Sequence, residues 1–468
     1  MSENVVAQLD PIFKPKSVAL IGASNNPAKW GGMVLGRALS CAFRGSIYPV
    51  NPRETEISGL RAYRDVLEIP EPVDLAVFTI PAAEIPATMK SCVKKGIKGA
   101  VVISADFAET GERGRALEQE TVRIAREGGL RFIGPNGNGM WTSAVGLNVS
   151  PLPTPTPGGL ALISQSGMFG GAAIFATLSK GFGLSKFVAM GNQADLTAAD
   201  YLAYLSSDED TRVIALYLEG LKEGRRFLEV AREVSRQKPI VVLKGGRSAP
   251  GARATLSHTA SIAGEDSIFD AVCRQAGLIR VSQLEHLFLM AEALLSQPLP
   301  RGDRIAVVGN GGQGVATVDN LAALGIEVPE FADQDKLDLK KVLPPHAPVP
   351  RNPVDFAAGA MDTSDEVNVI EKLASLDYID GIITNVPRES SYKSSSHAER
   401  KKAAITAADR FARIPEKYGT PVITQKLMPS ETIVELLRDG RIPMYDTPQE
   451  CALAMSALIR YARIKNRP

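Results

Sequence analysis

Three kinds of group in this chain could do chemistry together: an imidazole that can act as a nucleophile, a carboxylate to orient it, and donors that hold an anion. The imidazole is His258, one of four histidines in 468 residues, flanked by Ser257 and Thr259. Histidine titrates near neutral pH, so it can attack as a nucleophile without first losing a strongly held proton. It lies in residues 244–266, KGGRSAPGARATLSHTASIAGED, whose glycine, serine, alanine and threonine content predicts an extended loop. The carboxylate is Glu219, at the carboxyl end of the apolar run Val213-Ile-Ala-Leu-Tyr-Leu218. A carboxylate on that rim can orient an imidazole and raise its basicity. Ser164-Gln165-Ser166-Gly167 precedes an alanine-rich helical pattern at 170–178. Such a loop offers hydroxyls, unpaired N–H groups and the positive end of a helix dipole to a phosphate. Taken singly, a histidine in a small-residue loop or a glutamate at a strand exit carries no chemistry.

The elements that must position these groups alternate along the chain. Ser17-Val-Ala-Leu-Ile21 reads as a strand, followed by the small-residue turn Gly22-Ala23-Ser24 with Lys29, then a helical pattern from Gly32. That turn places backbone N–H groups and a helix start at a strand's carboxyl end, where a phosphate can sit. Further strands end at Asn51-Pro52, at Ile80-Pro81, at Ser104 and at Gly134-Pro-Asn136. Strands alternating with helices predict doubly wound parallel sheets, whose ligands bind outside the carboxyl ends of the strands. The proline-rich stretch 151–157 and the segment 297–302 mark boundaries, giving units 1–150, 158–297 and 302–468. The third unit repeats the strand, glycine loop and helix of the second from Arg304, without a counterpart of Glu219 or His258. The serine-rich segment 388–400 is expected to be a mobile polar loop.

Bulk properties narrow the function classes. Lys and Arg total 53 against 52 Asp and Glu, a net charge of +1. This gives no electrostatic case for nucleic acid or an anionic membrane. The four cysteines form no CxxC pair and read as reduced thiols of a cytoplasmic protein. There is no apolar signal core near the start and no 18-residue apolar run, so no membrane span is expected. No residue cluster predicts a metal site. The first glycine turn is not a GxGxxG, and Asn51-Pro52-Arg53 stands where a ribose would require an acidic residue, which argues against a nicotinamide enzyme.

The ordered set Ile21-Gly-Ala-Ser24, Tyr48-Pro-Val-Asn-Pro52, Gly134-Pro-Asn136, Ile163-Ser-Gln-Ser-Gly167, Gly191-Asn192, Tyr217-Leu-Glu-Gly220 and Gly245-Gly-Arg247 through Ser257-His-Thr259 resembles the alpha part of NDP-forming acyl-CoA synthetases. These include ADP-forming acetyl-CoA synthetases and, more distantly, succinyl-CoA synthetase. The resemblance runs from Asp10 to about Ala462. It implies an α/β fold with a Rossmann-like CoA-binding domain followed by two flavodoxin-like doubly wound domains. It implies coenzyme A against Gly22, Ala23, Ser24, Lys29, Asn51, Pro52, Ile80, Pro81, Ser104 and Asn136. It also implies phosphorylation of His258, support from Glu219, and phosphate held by Gln165, Ser166 and Gly167. Acyl-CoA, ADP and phosphate would be interconverted with free acid, CoA and ATP. Nothing in the chain reads as an ATP-grasp module, so ADP or ATP with Mg2+ is expected on a separate beta subunit in a hetero-oligomer. Where the family has cysteine after Gly-Pro-Asn, this chain has Gly137-Asn138, at the loop bordering the CoA thiol and acyl group. A protein that binds CoA or acyl-CoA without ligation is the alternative.

Overall fold

The computed structural model describes residues 2–259, 265–357, 361–387, 396–427 and 430–467, in two compact units, Met1–Phe288 and Leu289–Pro468. It is an α/β protein built on parallel sheets. The first unit opens with β1 (Ser17–Ile21), β2 (Ser46–Val50), a separate hairpin of β3 (Glu56–Ile57) and β4 (Leu60–Arg61), then β5 (Leu75–Phe78), β6 (Gly99–Val102) and β7 (Arg131–Ile133). The main sheet has the order β2-β1-β5-β6-β7 and is parallel throughout. Because helices cover both faces, its strands are apolar on both sides. Val18 and Leu20 of β1 join one core cluster, while Ala19 and Ile21 join the other.

The second sheet takes β8 (Met140–Thr142), β9 (Leu147–Asn148), β10 (Pro157–Ser164), β11 (Leu184–Ala189), β12 (Val213–Leu218), β13 (Ile240–Lys244) and β14 (Ile279–Val281). Its order is β14-β13-β12-β10-β11-β8-β9. The strand order reverses direction at β10, whose neighbours are β11 and β12. Such a reversal opens the crevice where ligands of these sheets bind. β8 pairs antiparallel with β11, so residues ahead of the proline-rich stretch complete the second sheet. One hydrophobic cluster runs from Leu9 and Val34 through Ile163 and Leu216 to Val242, so the two sheets of this unit share a core.

The second unit carries β15 (Ile305–Gly309), β16 (Val354–Asp355), β17 (Gly381–Asn385), β18 (Val422–Gln425) and β19 (Met444–Tyr445), ordered β16-β15-β17-β18-β19 and parallel. Of the expected polar loop 388–400, residues 388–395 lie outside the described residues. From His397 the chain is helical (His397–Ala412), with Ser396 Oγ accepting from the Glu399 N–H at 3.2 Å. The serine that reads as loop composition is the cap that starts the helix.

One expectation is overturned at the centre of the chain. Residues 249–259 form a helix (Ala249–Thr259) and not an extended loop. Alanine is the strongest helix former, and Ala249, Ala252 and Ala254 outweigh the loop character of their neighbours. Ser248 Oγ accepts from the Gly251 N–H at 3.2 Å and closes the first turn, where Pro250 is tolerated. His258 falls in the last turn. Its side chain, and residues 260–264, lie outside the described residues.

Candidate active site

The predicted CoA residues gather on one rim, at the carboxyl ends of β1, β2, β5, β6 and β7. Gly22 leaves β1 with a positive φ of 90°, and its N–H donates to Val50 O at 2.9 Å. A Cβ at Gly22 would stand 2.8 Å from Thr79 Oγ1 and 2.9 Å from Ile80 Cγ2. Glycine is therefore required by both backbone angle and space. Gly31, in the first turn of helix Trp30–Ser40, lies so close to the same loop that a Cβ would be 1.9 Å from Gly22 O. The helix start is thus pressed onto the Gly22-Ala23-Ser24 turn, with Lys29 at its N-cap and exposed. Ser24 Oγ accepts from the Asn26 N–H at 3.1 Å. Asn51 Nδ2 donates to Ala23 O at 2.8 Å, tying the β2 exit, and Pro52 after it, to the β1 exit. Ser104 Oγ donates to Ile80 O at 2.5 Å, beside Pro81. The Asn136 N–H in turn donates to Ser104 O at 2.9 Å. All ten predicted residues therefore sit on the loops of one rim, and side-chain and backbone bonds fix the spacing between those loops.

This arrangement fits a phosphate-bearing ligand. A turn of small residues, opened by a glycine, faces a helix start whose first N–H groups lack partners within the helix. The same geometry recurs on the second sheet. Ser166 is the N-cap of helix Gly167–Lys180, its Oγ accepting from the Phe169 N–H at 3.3 Å. Ser164 Oγ donates to Ser166 O at 2.6 Å and holds the turn. Gln165 also has a part in the fold that its place beside the two serines does not reveal. Its side-chain oxygen accepts from the N–H groups of Glu219 at 2.8 Å and Gly220 at 3.1 Å. It locks the β12 exit to the β10 exit, across the point where the strand order reverses.

Glu219 is buried, with 4% of its surface exposed. The Tyr217 hydroxyl is hydrogen-bonded to it, and burial, followed by the Glu219 charge, pushes that hydroxyl up to about 12. Tyr217 therefore stays a neutral donor across the working pH range. Its ring stacks on Phe169, in the first turn of helix Gly167–Lys180, with centroids 3.9 Å apart. A Cβ at Gly245 would stand 2.7 Å from Tyr217 Oη and 3.4 Å from Glu219 Cγ. The exit of β13 thus leaves just enough room for this pair. Helix Ala249–Thr259, which carries His258, follows and lies against the turn Ala108–Thr110 of the first sheet's rim. The structure brings Gln165, Ser166, Gly167, Tyr217 and Glu219 together. It places the His258 backbone on the helix that follows, with the imidazole outside the described residues.

Sequence reasoning missed Tyr217, although its spacing was a signal: residues i and i+2 of a strand point to the same face. It also assigned no role to Asn192. The Asn192 Nδ2 donates to Glu109 at 2.6 Å and to Glu118 at 2.9 Å, while its oxygen accepts from Asn136 Nδ2 at 3.3 Å. It joins the last loop of the first sheet to the β11 exit of the second. These contacts link residues more than fifty positions apart, which no local pattern reveals.

The first unit thus sets the glycine-led rim of one sheet beside a second sheet whose own helix start, at Ser166–Gly167, is also open to an anion. Residues 16–141 match the CoA binding domain model, and residues 157–294 match that of the succinyl-CoA ligase like flavodoxin domain. The chain is 38% identical over 460 residues to the acetate–CoA ligase [ADP-forming] II subunit alpha of Pyrococcus furiosus, covering 97% of this chain and 98% of that one. It is 32% identical over 468 residues to the 4-hydroxybutyrate–CoA ligase [ADP-forming] of Nitrosopumilus maritimus, covering 98% of this chain and 65% of that one. In structure it is similar to the dinucleotide forming acetyl-coenzyme A synthetase 1 of Ca. Korarchaeum cryptofilum in complex with phosphate and ADP. That match has a TM-score of 0.87 at 34% identity and covers 98% of this chain and 97% of that one. The chain belongs to the family of ADP-forming acetate–CoA ligase alpha subunits.

Proposed function

We propose that this chain is the alpha subunit of an ADP-forming acid–CoA ligase, a cytoplasmic enzyme that interconverts acyl-CoA, ADP and phosphate with free acid, CoA and ATP. The observation that carries the reading is the pair of anion-ready helix starts in one unit, at Gly22–Gly31 and at Ser166–Gly167, with Glu219 fixed beside the second by Gln165 and Tyr217. In the domain division we propose, the CoA-binding domain spans 1–150, the phosphohistidine-bearing domain 158–297 and the second flavodoxin-like domain 302–468. Phosphate attacks the thioester carbonyl, the C–S bond breaks, and CoA leaves with an acyl phosphate formed. His258 then attacks phosphorus; a P–N bond forms, the P–O bond to the acyl group breaks, and the free carboxylate departs. Ser166 and the Gly167 N–H hold the phosphoryl oxygens, while Glu219 orients the imidazole and balances its positive charge. Gln165 acts by holding the Glu219 loop. CoA lies against Gly22, Ala23, Ser24, Lys29, Asn51, Pro52, Ile80, Pro81, Ser104 and Asn136.

The phosphoryl group then passes to ADP. We place that nucleotide, with Mg2+, on an ATP-grasp beta subunit in a hetero-oligomer. The Pyrococcus relative, named a subunit alpha and covered over 98% of its length, supports a partnered arrangement. The named acids of the relatives, acetate and 4-hydroxybutyrate, bracket a class of small carboxylic acids.

The test is a labelling experiment. The chain is mixed with radiolabelled inorganic phosphate and a panel of acyl-CoAs, with and without a grasp-type subunit. Acid-labile, base-stable label that depends on one class of acyl-CoA is expected. No label under either condition would sink the ligase reading. A graded result is expected for Glu219→Gln, which keeps shape and removes charge. Labelling should slow by about tenfold or more, because orientation and charge balance at the imidazole are lost, while CoA affinity stays unchanged. An unchanged labelling rate would remove Glu219 from the mechanism.

A further inference from the structure

We infer that Asn138 selects the acid. Its side-chain amide meets the acyl group at the seam between the CoA rim and the phosphoryl cradle, and favours acids with a hydroxyl or oxo oxygen close to the carboxyl. The inference deepens the ligase reading and rests on it.

The seam is visible in three close approaches. A Cβ at Gly191 would stand 2.0 Å from Pro135 O, and one at Gly137 would stand 2.4 Å from Ala189 O. The loop after β7 is therefore pressed by its backbone against the β11 exit. Position 137, as the loop lies, has no room for a side chain, so the cysteine expected there from the family could not be accommodated without moving the loop. The third approach is made by a side chain. A Cβ at Gly167 would stand 2.5, 2.7 and 2.8 Å from Cγ, Nδ2 and Oδ1 of Asn138. The amide of Asn138 thus lies over the first residue of helix Gly167–Lys180, where the phosphoryl group is held.

Any acyl group moving from a thiol on the first rim to a phosphate on the second must cross this seam. Asn138 is the side chain that stands there. It is half-buried, and its amide makes no hydrogen bond to any described residue. Its neighbours differ. Asn136 is bonded to Asn192, and Asn192 to Glu109 and Glu118. Asn138 is therefore the amide of this group with both a donor and an acceptor still to satisfy. A half-buried amide that is not committed to the protein is open to a ligand, and an acyl group that pairs with both its donor and its acceptor replaces the water there with directed bonds. The amide is neutral and both gives and takes hydrogen bonds, which suits a hydroxyl or an oxo oxygen. A second carboxylate would require a cation that Asn138 does not provide.

The experiment compares thioesters that differ by one hydroxyl: 2-hydroxypropionyl-CoA against propionyl-CoA, and 3-hydroxybutyryl-CoA against butyryl-CoA. Thiol release in the presence of phosphate is followed for the full chain with its grasp-type subunit. The wild type should prefer the hydroxylated member of at least one pair by about tenfold or more in kcat/KM. Asn138→Leu and the smaller Asn138→Ala should lose that preference, with KM for CoA in the reverse direction unchanged. If Asn138→Leu does not fold, Asn138→Ala decides. A wild-type preference for the plain acyl group would overturn the inference. So would an unchanged ratio in the variants, or an equal loss on both members of each pair, since the amide would then serve a part common to all substrates. A wild type silent on every thioester would count against the ligase reading instead.

Discussion

Replacing His258 by asparagine should abolish both phosphoryl labelling of the chain and acyl-CoA formation by the complex, while CoA affinity stays within about twofold of the wild type. Asparagine approximates the imidazole in size and polarity but cannot form a stable bond to phosphorus. The loss should exceed about a thousandfold, because removing the nucleophile of a covalent mechanism leaves only binding and positioning. CoA should be indifferent to the change, since its loops are fixed by bonds that do not involve the helix Ala249–Thr259. Loss of CoA binding in this variant would make His258 a structural residue. Label that persisted, still acid-labile, would point to one of the other three histidines, His286, His346 or His397. Peptide mapping of the labelled chain distinguishes these outcomes.

The parallel sheets were legible because both faces of their strands are covered, which leaves short apolar runs that end in glycine, proline or asparagine. Ser17–Ile21 and Val213–Leu218 are of that kind, and each stands where its residues predict. The rim residues were legible for the same reason: a loop at a strand's carboxyl end can be placed once the strand is placed. Two things were not. The helix Ala249–Thr259 reads as a loop because alanine, glycine and serine occur together in loops, and the serine that caps the first turn counts as one more loop residue until its bond is seen. The contacts that give the site its geometry were also hidden. Gln165 reads as a phosphate ligand beside two serines, yet its oxygen serves the backbone of Glu219, fifty-four residues away. Asn138 reads only as a departure from a family pattern. Its position over Gly167 depends on the packing of one sheet's last loop against the next sheet's first helix, which neither periodicity nor propensity encodes.

Two alanine substitutions five residues apart can be related to this geometry because they sit in one helix, Trp30–Ser40, in opposite surroundings. At Gly36 a Cβ would meet nothing within 4 Å. Gly36→Ala should therefore stabilise the chain by about 0.5–1 kcal/mol, through helix propensity and a less free unfolded chain. At Gly31 the Cβ would lie 1.9 Å from Gly22 O, and the clash is with backbone, which has no rotamer to turn away. Relieving it requires the helix start to move off the Gly22-Ala23-Ser24 turn by about an ångström or more. Overpacking of this kind costs about 1–3 kcal/mol. The larger effect should be on CoA, because the N–H groups proposed to meet its phosphates are the ones displaced, and each hydrogen bond lost to a charged oxygen costs about 1.5–3 kcal/mol, about tenfold or more in affinity. Urea denaturation and CoA titration of both variants test the argument together. Weak CoA binding in Gly31→Ala with wild-type affinity in Gly36→Ala assigns the loss to the helix start and not to alanine in the helix. Wild-type affinity in Gly31→Ala would mean that coenzyme A does not use this turn, and the CoA site would have to be sought elsewhere on the rim.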